Sequence, residues 1–410
     1  MKTTKKIPAL RFPEFEGEWS MKLLGDVAIF SKGKGVSKSD IDENGKFECI
    51  RYGELYTHYN ELIKDVISKT NVDEKELVFS EYNDVIIPGS GETQLDIATA
   101  SCVLKDGVAL GGDLNIIKTK INGVFLAYYL NNAKKNDIAT LAQGNSVVHL
   151  YASQLKTLSL NIPVNKEQQK IASFLTAVDD KIQRLTKKKA LLERYKKGVI
   201  QQIFNQQIRF KDDNGNDYPN WEEKRLVEVL KENKKRNTDN NVEEVFSVAK
   251  SKGVINQLEH LGRSYAAEDV SNYKVAFPDD IIYTKSPTSD FPFGIIKQNK
   301  LDRKGIVSVL YAIYTPLNKH LGNIIDAYFS SWVNTYNYLS PLVRKGAKNT
   351  MNIGNDEFLK GTVILLPISV EEQEKISSFL NNLEAKIDDV NNRLEQMRQY
   401  KKGLLQQMFV

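Results

Sequence analysis

Two long segments of the chain place hydrophobic residues at alternating three- and four-residue steps. The first segment is residues 167–204 and the second is residues 372–409. In the first, the apolar steps fall at Ile171, Leu175, Val178, Ile182, Leu185, Leu192, Val199 and Ile203. In the second, they fall at Ile376, Leu380, Leu383, Ile387, Val390, Leu394, Met397, Leu404 and Met408. This spacing predicts two helices with the heptad seam of a coiled coil, each about 57 Å long.

The two segments are copies of one another. They align without a gap at an offset of 205, and 16 of the 38 aligned positions are identical. Pro163 and Pro367 lie just upstream, where proline ends a strand and precedes a helix. A repeat at about half the chain length predicts two similar units in tandem.

Lysines interrupt both seams and indicate how the helices pair. Lys189 and Lys196 occupy seam positions in the first helix, and Lys401 occupies one in the second. Lys196 and Lys401 are equivalent in the repeat, so a parallel pair would bring their charges together at a desolvation cost. An antiparallel pair separates them, and the segment between the helices is long enough to return the chain. We therefore predict antiparallel pairing.

The segments that precede the two helices predict globular units of mixed α/β type. Both open with Arg-Phe and, after a polar stretch, a Trp, at Arg11 and Trp19 and again at Arg209 and Trp221. Both contain β-branched strands that run into turn-rich loops. The predicted architecture is two globular domains joined by two long helices that form an antiparallel coiled coil, with an internal pseudo-two-fold repeat. The predicted boundaries are 1–161, 162–208, 209–366 and 367–410.

The composition indicates the cellular compartment and the kind of partner that the protein would bind. A chain of 410 residues with two cysteines and no apolar signal segment predicts a multidomain cytoplasmic protein. The net charge is +5, but residues 161–210 alone carry 11 basic and 4 acidic side chains. This surplus indicates either a solvated helix face or a surface near a polyanion such as DNA.

The sequence lacks the motifs of common catalytic sites. There is no P-loop, and the glycines of Ser31–Val36 lack the Lys-Ser/Thr ending, so this stretch is interpreted as a loop. Asn161–Val164 lacks the second proline and the aromatic residue of the N-P-P-[YF] motif of methyltransferases that act on amino groups. The four histidines have neither metal-ligand spacing nor an evident nucleophile partner. We expect no catalysis and no metal or cofactor in this chain.

The helix ends are nearly identical, and two interpretations stay open for them. Tyr195–Phe204 and Tyr400–Phe409 carry apolar residues on more than one face. The ends either pack on their own globular domains or form a docking surface for a partner subunit, present twice. The candidate docking residues are Tyr195, Val199, Ile203, Phe204, Tyr400, Leu404, Met408 and Phe409.

The tandem unit resembles the specificity (S) subunit of type I restriction–modification enzymes. The resemblance rests on the opening Leu10–Trp19, on the E-Q-x-K-I-x-S-F-L helix starts and on the helix ends, and it covers essentially the whole chain. It implies a non-catalytic subunit in which each globular unit recognises one half of a bipartite, asymmetric DNA target. It also implies two methyltransferase (M) subunits and restriction (R) subunits as partners. S-adenosylmethionine, ATP and Mg would then bind those partners. The departure from the repeat is Lys189, where the second seam has Leu394.

If each unit reads DNA, polar loops must reach base edges and basic residues must reach phosphates. The loops before the unit-closing strands occupy equivalent places and differ in sequence, as two half-sites require. The first loop offers Gln143, Asn145, Ser146 and His149, and the second offers Arg344, Lys345, Lys348, Asn349 and Asn352. Weaker candidates in the strand-exit loops are Ser90, Lys285 and Ser286. For each of them an ordinary surface turn is the alternative.

Two other functions compete with this one. A coiled-coil scaffold could join two protein-binding domains without touching DNA, although the basic helix and the divergent units argue against it. A self-contained modification enzyme would need cofactor motifs that the sequence lacks. For DNA recognition, we predict that mutating Lys345 or Lys348 weakens binding with little sequence dependence, whereas mutating Asn349 changes the second half-site.

Overall fold

The computed structural model describes residues 6–144, 147–250, 252–288, 290–345 and 351–410. These residues form a mixed α/β protein, as predicted. The chain divides into two compact units, one of residues 1–186 and 392–410 and the other of residues 187–391. Both long helices are therefore shared between the units. These units group residues that are close in space, whereas the predicted boundaries divide the chain by its order along the sequence.

Short strands and helices build the first unit before its long helix. The strands are β1 Ser20–Leu23, β2 Ala28–Lys32, β3 Phe47–Ile50, β4 Leu62–Ile63, β5 Ser68–Thr70, β6 Asp84–Pro88, β7 Ser90–Gly91, β8 Ser101–Val103, β9 Ala109–Leu110, β10 Leu114–Thr119, β11 Val148–His149 and β12 Ser159–Ile162. The helices are α1 Leu24–Val27, α2 Tyr52–Thr57, α3 Gln94–Ile97, α4 Gly123–Asn132, α5 Lys135–Leu141, α6 Ala152–Leu155 and α7 Asn165–Phe204.

A five-stranded sheet in the order β2-β10-β6-β8-β4 is the centre of the first unit. Strand β6 is buried along its whole length because both faces of the sheet are covered. Helix α4 packs on one face, and its aromatic residues Phe125, Tyr128 and Tyr129 are fully buried. Strand β1 pairs with β12 and so joins the opening of the unit to its close.

The second unit repeats this plan with different strands. They are β13 Glu222–Lys224, β14 Leu230–Glu232, β15 Phe246–Ala249, β16 Gly253–Asn256, β17 Lys274–Ala276, β18 Ile281–Tyr283, β19 Ile296–Gln298, β20 Gly305–Val307, β21 Ala312–Pro316, β22 Arg344–Lys345, β23 Met351–Asn352 and β24 Ile364–Leu366. Its helices are α8 Leu226–Val229, α9 Gln257–Leu261, α10 Lys319–Phe329, α11 Trp332–Leu339, α12 Asn355–Leu359 and α13 Val370–Gln407.

The central sheet of the second unit has the order β14-β21-β18-β19. Taken in their order along the chain, these four strands correspond to β2-β10-β6-β8 of the first unit. The first and last strands of the second unit, β13 and β24, also pair with each other, as β1 and β12 do in the first. An aromatic core fills the space around α12, where Phe358 stacks on Tyr283 and Tyr314. The sequence thus encodes one architecture twice, with different peripheral strands.

Within each unit, one end of α7 packs against one end of α13. In the first unit, Leu175 and Val178 near the start of α7 share a core with Leu404 and Met408 near the end of α13. In the second unit, the end of α7 shares a core with Ile376 and Leu380 near the start of α13. Each pairing is antiparallel, which confirms the predicted coiled coil. Most of the apolar seam residues are buried, as the heptad spacing requires, and the half-buried ones are Ile182, Leu185, Leu192, Ile387 and Met397.

Each seam lysine that the repeat makes equivalent is paired with a carboxylate on the facing helix. Lys196 Nζ lies 2.9 Å from Glu384 in the second unit, and Lys401 Nζ lies 2.8 Å from Asp179 in the first. Glu384 and Asp179 are themselves related by the offset of 205. The antiparallel arrangement thus provides a counter-charge for both lysines, whereas a parallel one would bring them together.

Candidate nucleic-acid interface

A short β-ladder in the first unit brings three predicted candidates together. Strand β11 pairs with β7, so that His149 faces Ser90, and the Ser90 hydroxyl lies 3.2 Å from His149 Nδ1. Gln143 is bridged to His149, since each accepts the backbone N–H of the other, at 2.9 and 2.7 Å. Gln143 is exposed, His149 is half-buried and Ser90 is buried. The remaining candidates of this loop, Asn145 and Ser146, lie outside the described residues.

The neighbours of His149 make this ladder suitable for contact with a polyanion. The His149 ring stacks on Tyr151 with ring centroids 6.2 Å apart, and 46% of the surface of Tyr151 is accessible. Lys32 Nζ lies 5.8 Å from the centroid of the Tyr151 ring. Hydrogen-bonding side chains, an exposed aromatic ring and a cation therefore share one surface, the combination that contacts bases and phosphates in nucleic-acid-binding proteins.

The second unit also forms a hairpin at the corresponding place. Arg344 pairs with Asn352 and Lys345 pairs with Met351 along the β22–β23 ladder. Arg344 is exposed and forms an ion pair with Glu357 at the start of α12. Lys348 and Asn349 lie outside the described residues. The hairpin precedes α12 just as the first hairpin precedes α6, so the predicted equivalence of the two loops holds in the fold.

The strand-exit loop of the second unit is tied to this hairpin by Lys285. Its ammonium donates to the Ile353 carbonyl at 2.8 Å and to Asn355 Oδ1 at 2.5 Å. Burial lowers the pKa of this lysine, and the charge of Lys274 adds to the effect. Lys285 therefore has an internal structural role, and a DNA contact would compete with these two hydrogen bonds. Ser286, next to it, is exposed.

A buried glutamate anchors the opening of the first unit to its long helix, which sequence reasoning did not predict. Glu167 is fully buried and accepts two hydrogen bonds from Arg11, both at 2.8 Å. It also accepts a hydrogen bond from Trp19 Nε1 at 3.3 Å. Bidentate charge-assisted pairs of this kind fix geometry as well as adding energy. The repeated Arg-Phe and Trp signals are explained by this contact.

The equivalent site in the second unit has fewer bonds. Arg209 Nε lies 3.2 Å from Glu372, which is also fully buried. Arg209 Nη2 donates to the Tyr218 and Pro219 carbonyls. Among the described residues, Trp221 Nε1 and Glu372 Oε2 find no hydrogen-bond partner although both are buried.

The glutamine that follows each buried glutamate ties the long helix to its own globular unit. Gln168 donates to the Pro163 carbonyl at 2.9 Å and accepts the backbone N–H of Asn122, the N-cap of α4, at 3.0 Å. Gln373 likewise donates to the Pro367 carbonyl and accepts from Asn318, the N-cap of α10. The Glu-Gln pair that opens each repeat therefore has a structural role: it holds the long helix against its own globular unit.

The helix ends pack mainly on their own units. Five of the eight docking candidates, Val199, Ile203, Leu404, Met408 and Phe409, are buried in the chain's own cores. Phe204 is half-buried against Trp221 and Tyr328. These contacts favour the packing interpretation and leave the six side chains little surface for a partner. Tyr195 and Tyr400 are the exposed ones, with 55% and 50% of their surface accessible.

Three further observations concern metal binding, the cysteines and membrane-spanning helices. Within the described ranges, no group of His, Cys, Asp and Glu side chains is arranged to hold a metal ion. Cys49 and Cys102 are unpaired and buried, and burial raises the pKa of the Cys49 thiol to about 11. In the part of the chain that the structure describes, no helix combines the length and apolar character needed to cross a membrane.

Comparisons with known proteins converge on one family. Residues 16–194 match the model of the type I restriction modification DNA specificity domain. The predicted resemblance is confirmed. The matched region contains the hairpin with Gln143 and His149 and the first part of α7.

Two curated relatives and one solved structure are also similar to this chain. The MjaVIII specificity subunit of Methanocaldococcus jannaschii is 24% identical over 233 residues, which is 55% of this chain and 52% of that protein. A putative MjaX specificity subunit of the same organism is 26% identical over 210 residues, or 51% of this chain and 47% of that protein. The chain thus matches about half the length of these relatives. The crystal structure of an S subunit from M. genitalium shares the fold, with a TM-score of 0.65, 14% identity and coverage of 98% of this chain and 99% of that one.

Proposed function

We propose that this chain is the non-catalytic DNA-recognition subunit of a type I restriction–modification complex. One observation carries the proposal: two hairpins occupy equivalent places in two similar units and differ in their sequences. A protein that reads two unlike half-sites needs this arrangement, since base-edge readout requires a distinct donor and acceptor pattern for each sequence. The specificity-domain match over residues 16–194 supports it.

The proposed division of labour assigns residues 1–161 and 209–366 to the two half-sites of a bipartite, asymmetric target. The helical segments 162–208 and 367–410 separate the two readers. Gln143 and His149 would contribute to the first half-site, and Arg344, Lys345, Lys348, Asn349 and Asn352 to the second. Basic members of these sets would contact phosphates, whereas the amides would contact base edges.

The proposed partners supply the chemistry. Two methyltransferase subunits would modify adenines in the recognised sequence, and restriction subunits would cut unmodified DNA. S-adenosylmethionine, ATP and Mg would bind those subunits. On this chain, docking would use the exposed side of the helices around Tyr195 and Tyr400, because the neighbouring apolar residues serve the chain's own cores.

A genome-wide map of methylated adenines in the host, with and without this gene, tests the proposal. We expect deletion to remove one split methylation motif and re-expression to restore it. An unchanged map, in cells where the chain is expressed and bound to a methyltransferase, would contradict it and favour a scaffold without DNA recognition.

A further inference from the structure

The first strand of each central sheet ends in a basic segment that the sequence did not mark as a site. In the first unit, β2 ends at Lys32 and is followed by Lys34. In the second, β14 ends at Glu232 and is followed by Lys234 and Lys235. All four lysines are exposed. The first pair lies in Ser31–Val36, which the sequence predicts to be a loop. This prediction is wrong for Ser31 and Lys32, because backbone pairing with β10 makes them the last residues of β2, and the loop begins at Gly33.

The loop of the first unit is held rigidly against the sheet. The backbone N–H of Gly33 donates to the Leu114 carbonyl at 3.0 Å, and that of Lys34 donates to the Leu110 carbonyl at 2.9 Å. A Cβ atom on Gly33 would stand 2.0 Å from the Gly111 carbonyl oxygen, so only glycine allows this approach. The backbone of the two lysines is thereby fixed before any ligand binds, which reduces the entropy lost on binding.

The charges of this loop are available to a ligand. Among the described residues, no carboxylate lies within ion-pair distance of Lys32 or Lys34. Lys32 Nζ lies above the exposed ring of Tyr151, which stacks on His149 of the reading hairpin. The basic loop and the hairpin therefore lie side by side at one end of the central sheet.

The second unit has the same elements in a different form. Lys234 is largely exposed and lies 3.3 Å from Glu232. Lys235 Nζ lies 5.2 Å from the centroid of the Phe277 ring. Glu232 accepts a hydrogen bond from Asn355, which also accepts one from Lys285. The basic segment thus adjoins the strand-exit loop of its own unit.

We propose that Lys32 and Lys34 in one unit, and Lys234 and Lys235 in the other, bind the DNA phosphates that flank the bases read by each hairpin. This inference rests on the proposed DNA-recognition function. Phosphate contacts set the register of a protein on a duplex and carry no sequence information. Loss of these lysines should weaken binding to every sequence and leave the recognised motif unchanged.

The test uses the full chain in complex with its methyltransferase partner and measures duplex affinity as a function of salt. The probes are a duplex that contains the host's methylated motif and an unrelated duplex. Log K falls as log salt rises, and each phosphate contact adds about 0.9 to the steepness of that fall. The variant Lys32→Ala/Lys34→Ala should reduce the magnitude of the slope by about 1.8. Adding Lys234→Ala/Lys235→Ala should reduce the magnitude by about 3.6 in total.

A matched control lies at the opposite end of the same sheet. Lys120 follows β10 about 17 Å along the strand from Asn115, the residue that pairs with Lys32. Lys22 lines the same cleft as Lys120, and both are exposed. Lys22→Ala/Lys120→Ala removes the same charge and should leave the slope unchanged. Lys32→Arg/Lys34→Arg should retain the slope of the original chain.

The outcomes separate the two proposals. A slope that stays unchanged in Lys32→Ala/Lys34→Ala, or whose magnitude falls equally in the control, overturns the phosphate assignment while DNA recognition stands. A change in the preferred motif would assign the lysines to base readout and would also overturn it. If the unmodified complex shows no preference for the motif duplex, the proposed function itself fails, and the inference fails with it.

Discussion

The two units carry the same anchor at the start of the long helices, but only the first completes its hydrogen bonds. Glu167 accepts from Arg11 and Trp19, whereas Glu372 receives one bond from Arg209, and Trp221 finds no partner within the described residues. Arg11 Nη2 donates both to Glu167 and to a carbonyl, whereas Arg209 Nη2 donates only to the Tyr218 and Pro219 carbonyls. The spacing also differs, since Arg11 and Trp19 are eight residues apart and Arg209 and Trp221 are twelve. Identical letters in a repeat therefore do not guarantee equal contacts.

The helix ends should give the largest single losses of stability, with the greater loss in the first unit. Phe409 is buried against Phe125 and Tyr129, whereas its repeat equivalent Phe204 is only half-buried. We expect Phe409→Ala to lower the free energy of unfolding by about 4 kcal/mol and Phe204→Ala by about 3 kcal/mol or less. Denaturant unfolding of the full chain, with hydrogen exchange to assign the affected unit, measures both. Equal small losses would mean that these ends serve a partner rather than a core.

The anchors should give the next largest effect. Glu167→Gln leaves Arg11 without its buried counter-charge, so we expect a loss of about 3 kcal/mol. Glu372→Gln should cost less, about 1–2 kcal/mol, because only one long hydrogen bond from Arg209 is weakened. The measurement is again denaturant unfolding, with Glu374→Gln on the exposed side of α13 as a control. A larger loss for Glu372→Gln would refute the comparison.

Replacing the seam lysines should give the third largest change in the free energy of unfolding. Lys401 is held by Asp179 and Glu61, so Lys401→Met leaves two carboxylates without their cation and should cost about 2 kcal/mol. Lys196→Met should cost about 1 kcal/mol, because Glu384 keeps Lys300 at 2.8 Å. Combining Lys196→Met with Lys300→Met should cost more than the sum of the single changes if the two lysines share Glu384. Strict additivity would contradict the shared network.

The smallest expected effect is a difference in pH dependence. Burial opposes ionisation of Glu384, but Lys300 and Lys196 outweigh it and lower its pKa to about 2. Its contribution to stability is therefore present above the unfolded pKa near 4.5 and is lost as the pH falls towards 2. Burial likewise opposes the charge of Lys401, yet Glu61 and Asp179 raise its pKa. That contribution is present below the unfolded pKa near 10.5 and is lost as the pH rises through the folded value.

Thermal unfolding across the pH range, with hydrogen exchange to distinguish the units, checks this opposition. Glu384→Gln should make the stability of the second unit depend less on pH in the acid range. Lys401→Met should make the stability of the first unit depend less on pH in the alkaline range. Each effect should be about 1 kcal/mol or smaller, since both groups are partly solvated. The account would be contradicted if Glu384→Gln changed the pH dependence in the alkaline range, or if Lys401→Met changed it in the acid range.

The sequence predicted the features that depend on local pattern. The heptad steps located α7 and α13 and the faces that they bury, and the equivalence of Lys196 and Lys401 predicted antiparallel pairing. The sequence also places the loops with Gln143 and with Arg344 at equivalent positions in the two units. Each of these predictions rests on periodicity or on a repeat, which a single chain displays directly.

Contacts between distant residues could not be predicted in the same way. Nothing local shows that Glu167 meets Arg11, or that Gln168 meets the N-cap of α4, because both contacts form only when the unit closes. Lys285 has the composition of a phosphate ligand, and its internal bonds to Ile353 and Asn355 appear only in the fold. The apolar helix ends were ambiguous for the same reason.

The measurement that tests the central claim most directly is a methylation map of a host that carries the double variant Gln143→Ala/His149→Ala. If each unit reads one half of the target, the first half of the motif should become degenerate while the second half and the gap between the halves stay the same. A map in which both halves change together, or in which neither changes while methylation continues, would contradict the account.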